Sequence, residues 1–109
     1  MKKLLMVEDD RILVRSFRRE LSKRYNVTIV SSLEKALETI HLEDFDIVLT
    51  DMHLTPDQTA EGLKVLSFIK NNPNISAKYA MSSDSSMRER CLAMGAEKFF
   101  AKPFDLAVV

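Results

Sequence analysis

Short apolar runs alternate with amphipathic segments along the whole chain, and this alternation most constrains its fold. The runs predicted as strands are residues 3–7, 27–30, 47–50, 78–81 and 99–101. The segments between them place apolar residues three and four positions apart, the spacing of a helix with one buried face. Strict alternation of this kind indicates a parallel sheet with helices on both faces. We therefore expect an α/β fold with five parallel strands.

Four full helices are predicted between these strands. The first runs from residue 11 to about 23, the second is capped by Ser31 or Ser32, and the third follows a polar loop at 55–61. The fourth covers 87–94, with Gly95 at its end. Only the beginning of a final helix is expected, at 105–109. The missing helix should leave part of one sheet face exposed. Either the chain is cut short, or something else covers that patch.

Composition narrows the class of protein. A chain of 109 residues with 46% hydrophobic and 29% charged residues is expected to form one domain with a buried core. The formal net charge is zero, which gives no support to direct binding of nucleic acid or of an anionic membrane. The single Cys91 cannot form an internal disulfide, and the apolar run at the N-terminus is too short for a signal peptide. We expect a cytoplasmic protein.

Charged side chains follow three of the predicted strands. Glu8, Asp9 and Asp10 come after the first, Asp51 ends the third, and Lys102 follows the last. Because the carboxyl ends of parallel strands meet at one edge of the sheet, these side chains are expected to lie together. Carboxylates placed so close repel one another unless a cation neutralises them. Oxygen ligands without Cys or clustered His point to Mg²⁺, or Mn²⁺, rather than to zinc.

The remaining groups at this edge suit phosphoryl transfer. Lys102 can hold an anionic oxygen as a point charge, and Ser82 or Ser83 can supply a hydroxyl at the end of the fourth strand. A carboxylate, a metal ion, an ammonium and a hydroxyl around one position describe a site at which charge neutralisation drives the reaction. An aspartate there can itself be the nucleophile, which forms an aspartyl phosphate.

The chain resembles the receiver domain of two-component response regulators from residue 3 to about residue 105. Single motifs such as Glu-Asp-Asp are weak, but their order and spacing together are specific. The matching motifs are Met6-Val7-Glu8-Asp9-Asp10, Val48-Leu49-Thr50-Asp51-Met52, Ser82 after Ala80-Met81, Met94-Gly95-Ala96, and Phe99-Phe100-Ala101-Lys102-Pro103-Phe104. The resemblance implies a flavodoxin-like, doubly wound sheet of order 2-1-3-4-5, with its final helix truncated or missing.

The resemblance also implies a role for each acidic residue of the site. Asp51 matches the phosphoacceptor, and Asp9 matches the direct Mg²⁺ ligand. Glu8 matches the neighbouring acid that usually acts through water, and the backbone carbonyl of His53 matches a third protein ligand. The His53 side chain is expected to line the entrance to the site.

Other matches concern the switch that responds to phosphorylation. Ser82 matches the hydroxyl residue that moves toward the phosphoryl group, and Lys102 matches the lysine that pairs with it. The Lys102–Pro103 bond is cis in the family. Phe99 falls at the switch aromatic position, where a phenylalanine lacks the hydroxyl contact of a tyrosine. Its change of rotamer would therefore depend on packing alone.

Two departures from the family pattern lie beside the site. Gly62 arrives late, so that the loop at 54–62 carries an insertion, while the stretch from 82 to 95 is short. These regions shape donor access and the signalling face. The truncated end removes most of the fifth helix and puts the usual dimerisation mode in doubt. It also motivates the hypothesis that a homodimer covers the open face.

The predicted function is therefore a receiver domain spanning residues 1–109. It would take a phosphoryl group from a histidine kinase or phosphotransfer protein onto Asp51, with Mg²⁺ as cofactor, and would act on a downstream protein target or output domain. This is a switch rather than a metabolic enzyme. The alternative is a phosphorylation-independent interaction module with a vestigial site. A haloacid-dehalogenase-like phosphatase is set aside because it would want an aspartate at position 53, which is His53.

Overall fold

The computed structural model describes residues 1–54 and 60–109. It contains five strands, four α-helices and two 3₁₀ turns in these ranges. The strands are β1 Lys3–Val7, β2 Asn26–Val30, β3 Ile47–Asp51, β4 Ala77–Ser82 and β5 Lys98–Ala101. The helices are α1 Arg11–Leu21, α2 Leu33–Leu42, α3 Glu61–Ile69 and α4 Arg88–Ala93. The 3₁₀ turns are Ser85–Met87 and Leu106–Val108.

The five strands form one parallel sheet in the order β2-β1-β3-β4-β5. This confirms the predicted flavodoxin-like topology and the short C-terminal element. Val7 of β1 pairs with Val30 and with Thr50, and Asp51 of β3 pairs with Met81. The strands thus end at nearly the same level, and the residues that follow them share one edge of the sheet.

Apolar side chains pack on both faces of the sheet, and we call the two layers the first core and the second core. The first core lies under α2, α3 and α4, and the second lies under α1 and the C-terminal 3₁₀ turn. Buried members of the first core include Leu5, Val7, Ala36, Ile40, Val48, Val65, Leu66, Ile69, Cys91 and Phe99. Buried members of the second core include Leu4, Met6, Phe17, Leu21, Ile47, Leu49, Met81 and Val109.

One 3₁₀ turn was not expected from the sequence. The predicted helix at 87–94 is present as α4, Arg88–Ala93, and the 3₁₀ turn Ser85–Met87 precedes it. Of the two candidate caps of α2, Ser32 makes the capping bond, because its hydroxyl accepts from the Lys35 amide at 3.2 Å. Residues 55–59 of the predicted polar loop lie outside the described residues.

The C-terminal turn covers part of the sheet face that the sequence left without a helix. Arg24 and Tyr25 both donate to the carbonyl oxygen of Val109, at 3.1 and 2.8 Å. Farther along the same face, Tyr79 and Phe100 are half-buried and pack edge to face. The expected opening is therefore confined to the β4–β5 half of the sheet. Within the described ranges, the helices lack the length and apolar character needed to cross a membrane.

Candidate functional site

The carboxyl ends of β1 and β3 bring three carboxylates together. Oxygen atoms of Glu8, Asp9 and Asp51 lie within 4.8 Å of one another. Glu8 and Asp51 are almost fully buried, at 1% and 5% exposure, whereas Asp9 is open to solvent. Asp10 instead caps the N-terminus of α1, because its carboxylate accepts hydrogen bonds from the amides of Ile12 and Leu13.

Lys102 contacts two of these three carboxylates. Its Nζ is 2.5 Å from Glu8 Oε1 and 3.2 Å from Asp51 Oδ1. The Lys102 amide donates to the Ser82 carbonyl at 2.9 Å, and this bond fixes the backbone from which the lysine side chain extends. The Lys102–Pro103 peptide is cis. The structure therefore agrees with the cis bond expected from the resemblance.

The charges of the site do not balance. Three ionised carboxylates and one ammonium leave a charge of −2, counting Glu8, Asp9, Asp51 and Lys102. Burial raises the pKa of Glu8 above its usual 4.5, and the nearby Asp51 adds to this, although the bond to Lys102 opposes it. Burial and the neighbouring Glu8 likewise raise the pKa of Asp9. The raised pKa values mean that the ionised carboxylates are destabilised here, and a bound divalent cation would stabilise them.

The pKa of Lys102 moves in the direction that keeps it charged. Burial alone would lower this pKa, but the bonds and charges of Glu8 and Asp51 outweigh it and raise the pKa above 10.5. The ammonium is therefore a permanent positive charge at neutral pH. It is suited to hold an anionic oxygen and unsuited to act as a base.

The carboxylate of Asp51 is held in one orientation. The Met52 amide donates to Asp51 Oδ1 at 3.0 Å, and Lys102 reaches the same oxygen. A backbone N–H and an ammonium group thus converge on Oδ1 in a buried position. The arrangement differentiates the two oxygens of one carboxylate, which a nucleophile needs if one oxygen is to be fixed while the other reacts.

Ser82, rather than Ser83, is the hydroxyl at the end of β4. Ser82 is fully buried and its Oγ accepts from the Asp84 amide at 3.0 Å, whereas Ser83 is exposed. Phe99 lies behind this edge, 8% exposed in the first core, with its backbone paired to Ala80. Ser82 thus lies on β4, the neighbour of β3, and Phe99 lies on β5, one strand farther from Asp51.

His53 follows Asp51 by two residues and is only partly exposed. Its ring nitrogens Nδ1 and Nε2 are buried and have no hydrogen-bond partner within 1–54 and 60–109. The ring is thus more enclosed than the expected side chain at the entrance of the site. The loop that continues from it passes into residues 55–59, outside the described part of the chain.

Beside the acidic cluster lies a cleft of about 600 Å³ that reaches the surface. Glu8 and Asp9 form one end of the cleft, and Arg11, Arg18 and Lys35 line its walls. The basic side chains along this cleft would attract an approaching anion.

Two residues of the site were missed by the sequence analysis. Thr50 Oγ1 donates to the Asp51 carbonyl at 3.0 Å, and Gly62 N donates to the Met52 carbonyl at 3.0 Å. Both act on the backbone beside the phosphoacceptor candidate. The available signal was that Gly62 is one of only two glycines in the chain, and that it lies next to a loop of unusual length.

Comparison with known proteins identifies relatives of this chain. A family model for the response regulator receiver domain matches residues 4–109. The cell cycle response regulator CtrA of Brucella abortus is 29% identical over 103 residues, covering 94% of this chain and 44% of the relative. The chain thus spans less than half the length of the curated relatives that it matches.

Solved structures agree with the fold. A response regulator from Burkholderia pseudomallei, solved with a phosphorylated aspartic acid, calcium ion and citrate, has a TM-score of 0.86 and 21% identity, covering 99% of this chain and 64% of that one. The receiver domain of a sensor histidine kinase from Pseudomonas aeruginosa, with a magnesium ion coordinated in its active site cleft, has a TM-score of 0.76 and 25% identity, covering 98% and 89%.

Proposed function

The chain belongs to the response regulator receiver domain family, and from this we propose that it is a phosphorylation switch whose phosphoacceptor is Asp51. Receiver domains of response regulators are signalling modules rather than metabolic enzymes. The observation that carries the assignment is the convergence of the Met52 amide and Lys102 Nζ on one oxygen of a buried aspartate. That arrangement leaves Oδ2 as the attacking atom.

Mg²⁺ is the proposed cofactor. Asp9 and Asp51 would hold it directly, Glu8 would act through water, and the carbonyl of His53 would complete the set of protein ligands. The −2 charge of the cluster and its oxygen-only donors fit this ion. When bound, it supplies neutralisation of charge on the transferring phosphoryl group. The magnesium-bound receiver from Pseudomonas aeruginosa, which is similar to this chain, supports the proposal.

The proposed reaction is a direct displacement at phosphorus. Asp51 Oδ2 forms a bond to the phosphorus atom as the bond to the donor's imidazole nitrogen or acyl oxygen breaks, and the donor leaves with that electron pair. Lys102 releases part of its contact with Oδ1 to hold a phosphoryl oxygen. The product is an acyl phosphate on Asp51, the chemical state of the aspartate in the related Burkholderia pseudomallei structure.

The new charge, roughly −1.5 to −2 at neutral pH, would act first on Ser82. Its hydroxyl accepts from the Asp84 amide and keeps its own proton to donate. Movement of Ser82 toward the phosphoryl group would leave space near Phe99, which follows by repacking within the first core. The face built from α4 and β5 is thereby biased between two arrangements.

The partners follow from this role. We propose a histidine kinase or phosphotransfer protein as donor, and a downstream protein or output domain as target. We also propose that residues 1–109 act as one receiver domain. The open β4–β5 half of the sheet is the face at which a homodimer would form.

Intact-mass analysis after incubation with Mg²⁺ and acetyl phosphate tests the phosphoacceptor. We expect one phosphoryl adduct on the wild type and none on Asp51→Asn, because an amide is a poor nucleophile and leaves no acyl phosphate. Asp44→Asn is the matched control, since Asp44 is exposed and lies outside the cluster. It should form the adduct as the wild type does.

Other outcomes separate the alternatives. An adduct that persists on Asp51→Asn would place phosphorylation elsewhere and contradict the assignment. No adduct on the wild type, together with no Mg²⁺ binding by calorimetry, would favour the phosphorylation-independent interaction module. No adduct despite Mg²⁺ binding calls for the same assay with a phosphorylated histidine kinase domain, and failure there would also exclude Asp51 as phosphoacceptor.

A further inference from the structure

The first turn of α3 lies directly on the peptide group that joins Asp51 to Met52. The amide of Gly62 donates to the Met52 carbonyl at 3.0 Å. A Cβ atom at position 62 would overlap the Asp51 carbonyl oxygen and would lie 2.7 Å from Met52 Cα. These neighbours are backbone atoms and cannot swing aside as a flexible side chain can. Only glycine fits while both elements keep their places.

The same peptide group orients the Asp51 side chain. Its carbonyl oxygen accepts from Thr50 Oγ1 at 3.0 Å, and its N–H, that of Met52, donates to Asp51 Oδ1 at 3.0 Å. That N–H also lies 3.1 Å from the Met81 carbonyl oxygen, which ties it to β4. Because a peptide group is planar, any push on its carbonyl turns its N–H as well. Contact at Gly62 is therefore transmitted to the carboxylate through one rigid plane.

The residue before α3, Ala60, has a strained backbone conformation. Ala60 has φ of 56°, in the left-handed region that a residue with a Cβ atom rarely adopts. The helix also begins without a side-chain cap at that residue. A strained residue persists only when its surroundings hold it. Next to the site, the hydrogen bond from Gly62 to Met52 and the close approach of Gly62 to the Asp51 backbone hold this segment in place.

We infer that Gly62 and Thr50 are positioning residues for the phosphoacceptor: they clamp the Asp51–Met52 peptide from two sides and so fix the orientation of Asp51 Oδ1. Gly62 limits the carbonyl by contact, and Thr50 holds it by a hydrogen bond. The inference rests on the proposed function, because it assigns both residues a role in the reaction of Asp51. It also ties the start of α3 to the geometry of the nucleophile.

Gly62→Ala tests the contact, with Gly95→Ala as its matched control. Gly95 is the second glycine, and its φ of 102° makes alanine strained there too, but it contacts Lys70 rather than the site. Initial rates of adduct formation with acetyl phosphate are measured at saturating Mg²⁺, at a temperature where both variants are folded by circular dichroism. We expect Gly62→Ala to lower the maximal rate roughly 10- to 100-fold, since small misplacements cost that much, with little change in the half-saturating donor concentration. Gly95→Ala should stay within about twofold of the wild type, because its strain does not reach Asp51.

Thr50→Val provides a second, milder test that does not depend on whether Gly62→Ala folds. Valine has nearly the same shape and lacks only the hydroxyl, and Thr28→Val on β2 is the matched control. The Met52 amide proton is followed by NMR, a readout that requires no phosphorylation. We expect it to move upfield and to exchange faster in Thr50→Val, and the maximal rate to fall severalfold.

The outcomes separate this inference from the proposed function. If the wild type forms no adduct with acetyl phosphate or with a phosphorylated histidine kinase domain, the proposed function fails. An unchanged Met52 amide in Thr50→Val then overturns the clamp as well. If the wild type reacts but folded Gly62→Ala or Thr50→Val matches it in rate and in the Met52 resonance, the clamp alone is wrong. A rate loss shared equally by Gly95→Ala would reduce the role of Gly62 to stability.

Discussion

Glu8 carries a carboxylate that is almost fully buried, and its ionisation opposes folding in the absence of a metal ion. Burial raises its pKa above the usual 4.5. The folded state therefore binds the proton more tightly than the unfolded state does, and the free energy of unfolding falls as the pH rises from 4.5 through the folded pKa. We predict that Glu8→Gln makes this fall shallower by up to about 1.4 kcal/mol per pH unit, the slope of one differential proton.

Urea unfolding followed by circular dichroism between pH 4 and 8, with EDTA present, measures this slope. Glu38→Gln serves as the control, because Glu38 is exposed and pairs with the equally exposed Lys35. Profiles for Glu8→Gln and the wild type that run parallel would show that Glu8 is not the group responsible. The proximity of Glu8, Asp9, Asp51 and Lys102 was predictable, because charged residues that follow parallel strands meet at one edge of the sheet.

Thr50 and Gly62 were not predictable in the same way. Their role depends on backbone atoms of Asp51 and Met52, and a backbone carbonyl leaves no mark in a sequence. Asp10 shows the converse: its charge suggests the metal cluster, but its carboxylate serves the start of α1. Local bonding of this kind is decided by which side-chain rotamer reaches the free amides of the helix.

The side chain of Asp10 caps the first turn of α1. Asp10 accepts from Ile12 N at 2.9 Å and from Leu13 N at 3.3 Å. We predict that Asp10→Ala lowers the free energy of unfolding by about 1 kcal/mol, whereas Asp10→Asn changes it by less than about half of that, because asparagine caps as well as aspartate. Chemical unfolding of the three proteins makes the comparison. Equal losses in both variants would mean that the charge of Asp10, and not its cap, stabilises α1.

The region before the fourth helix shows what apolar spacing does not predict. That spacing predicted the helix at 87–94, but it gave no sign of the preceding 3₁₀ turn, in which Asp84 accepts from both the amide and the hydroxyl of Ser86. Such local side-chain bonds compete with regular helix geometry. The helix α4 then begins only at Arg88. The parallel sheet was predictable from the alternation of strands and helices, whereas the order of its strands came from the resemblance to receiver domains.

At the scale of the whole molecule, the C-terminal turn closes the second core through contacts distant in sequence. Arg24 and Tyr25, between α1 and β2, reach the carbonyl of Val109 across more than eighty residues of chain. No local pattern predicts such a contact, and the sequence therefore suggested a wider opening than the structure has. The acidic site is non-local in the same sense, because Asp9 and Asp51 come together only when β1 and β3 pair.

A cation that needs this pairing must bind the folded state in preference to the unfolded chain, and so must stabilise the fold. We predict that Mg²⁺ at a hundred times its dissociation constant raises the free energy of unfolding by about 2.7 kcal/mol. The gain should be smaller near pH 5 than at pH 7.5, because the raised pKa values of Glu8 and Asp9 let protons compete for the same oxygens. Thermal unfolding with Mg²⁺ and with EDTA, at matched ionic strength, measures it. Asp9→Asn should lose most of the gain and Asp44→Asn should keep it, whereas equal gains in both variants would place the cation elsewhere on the surface.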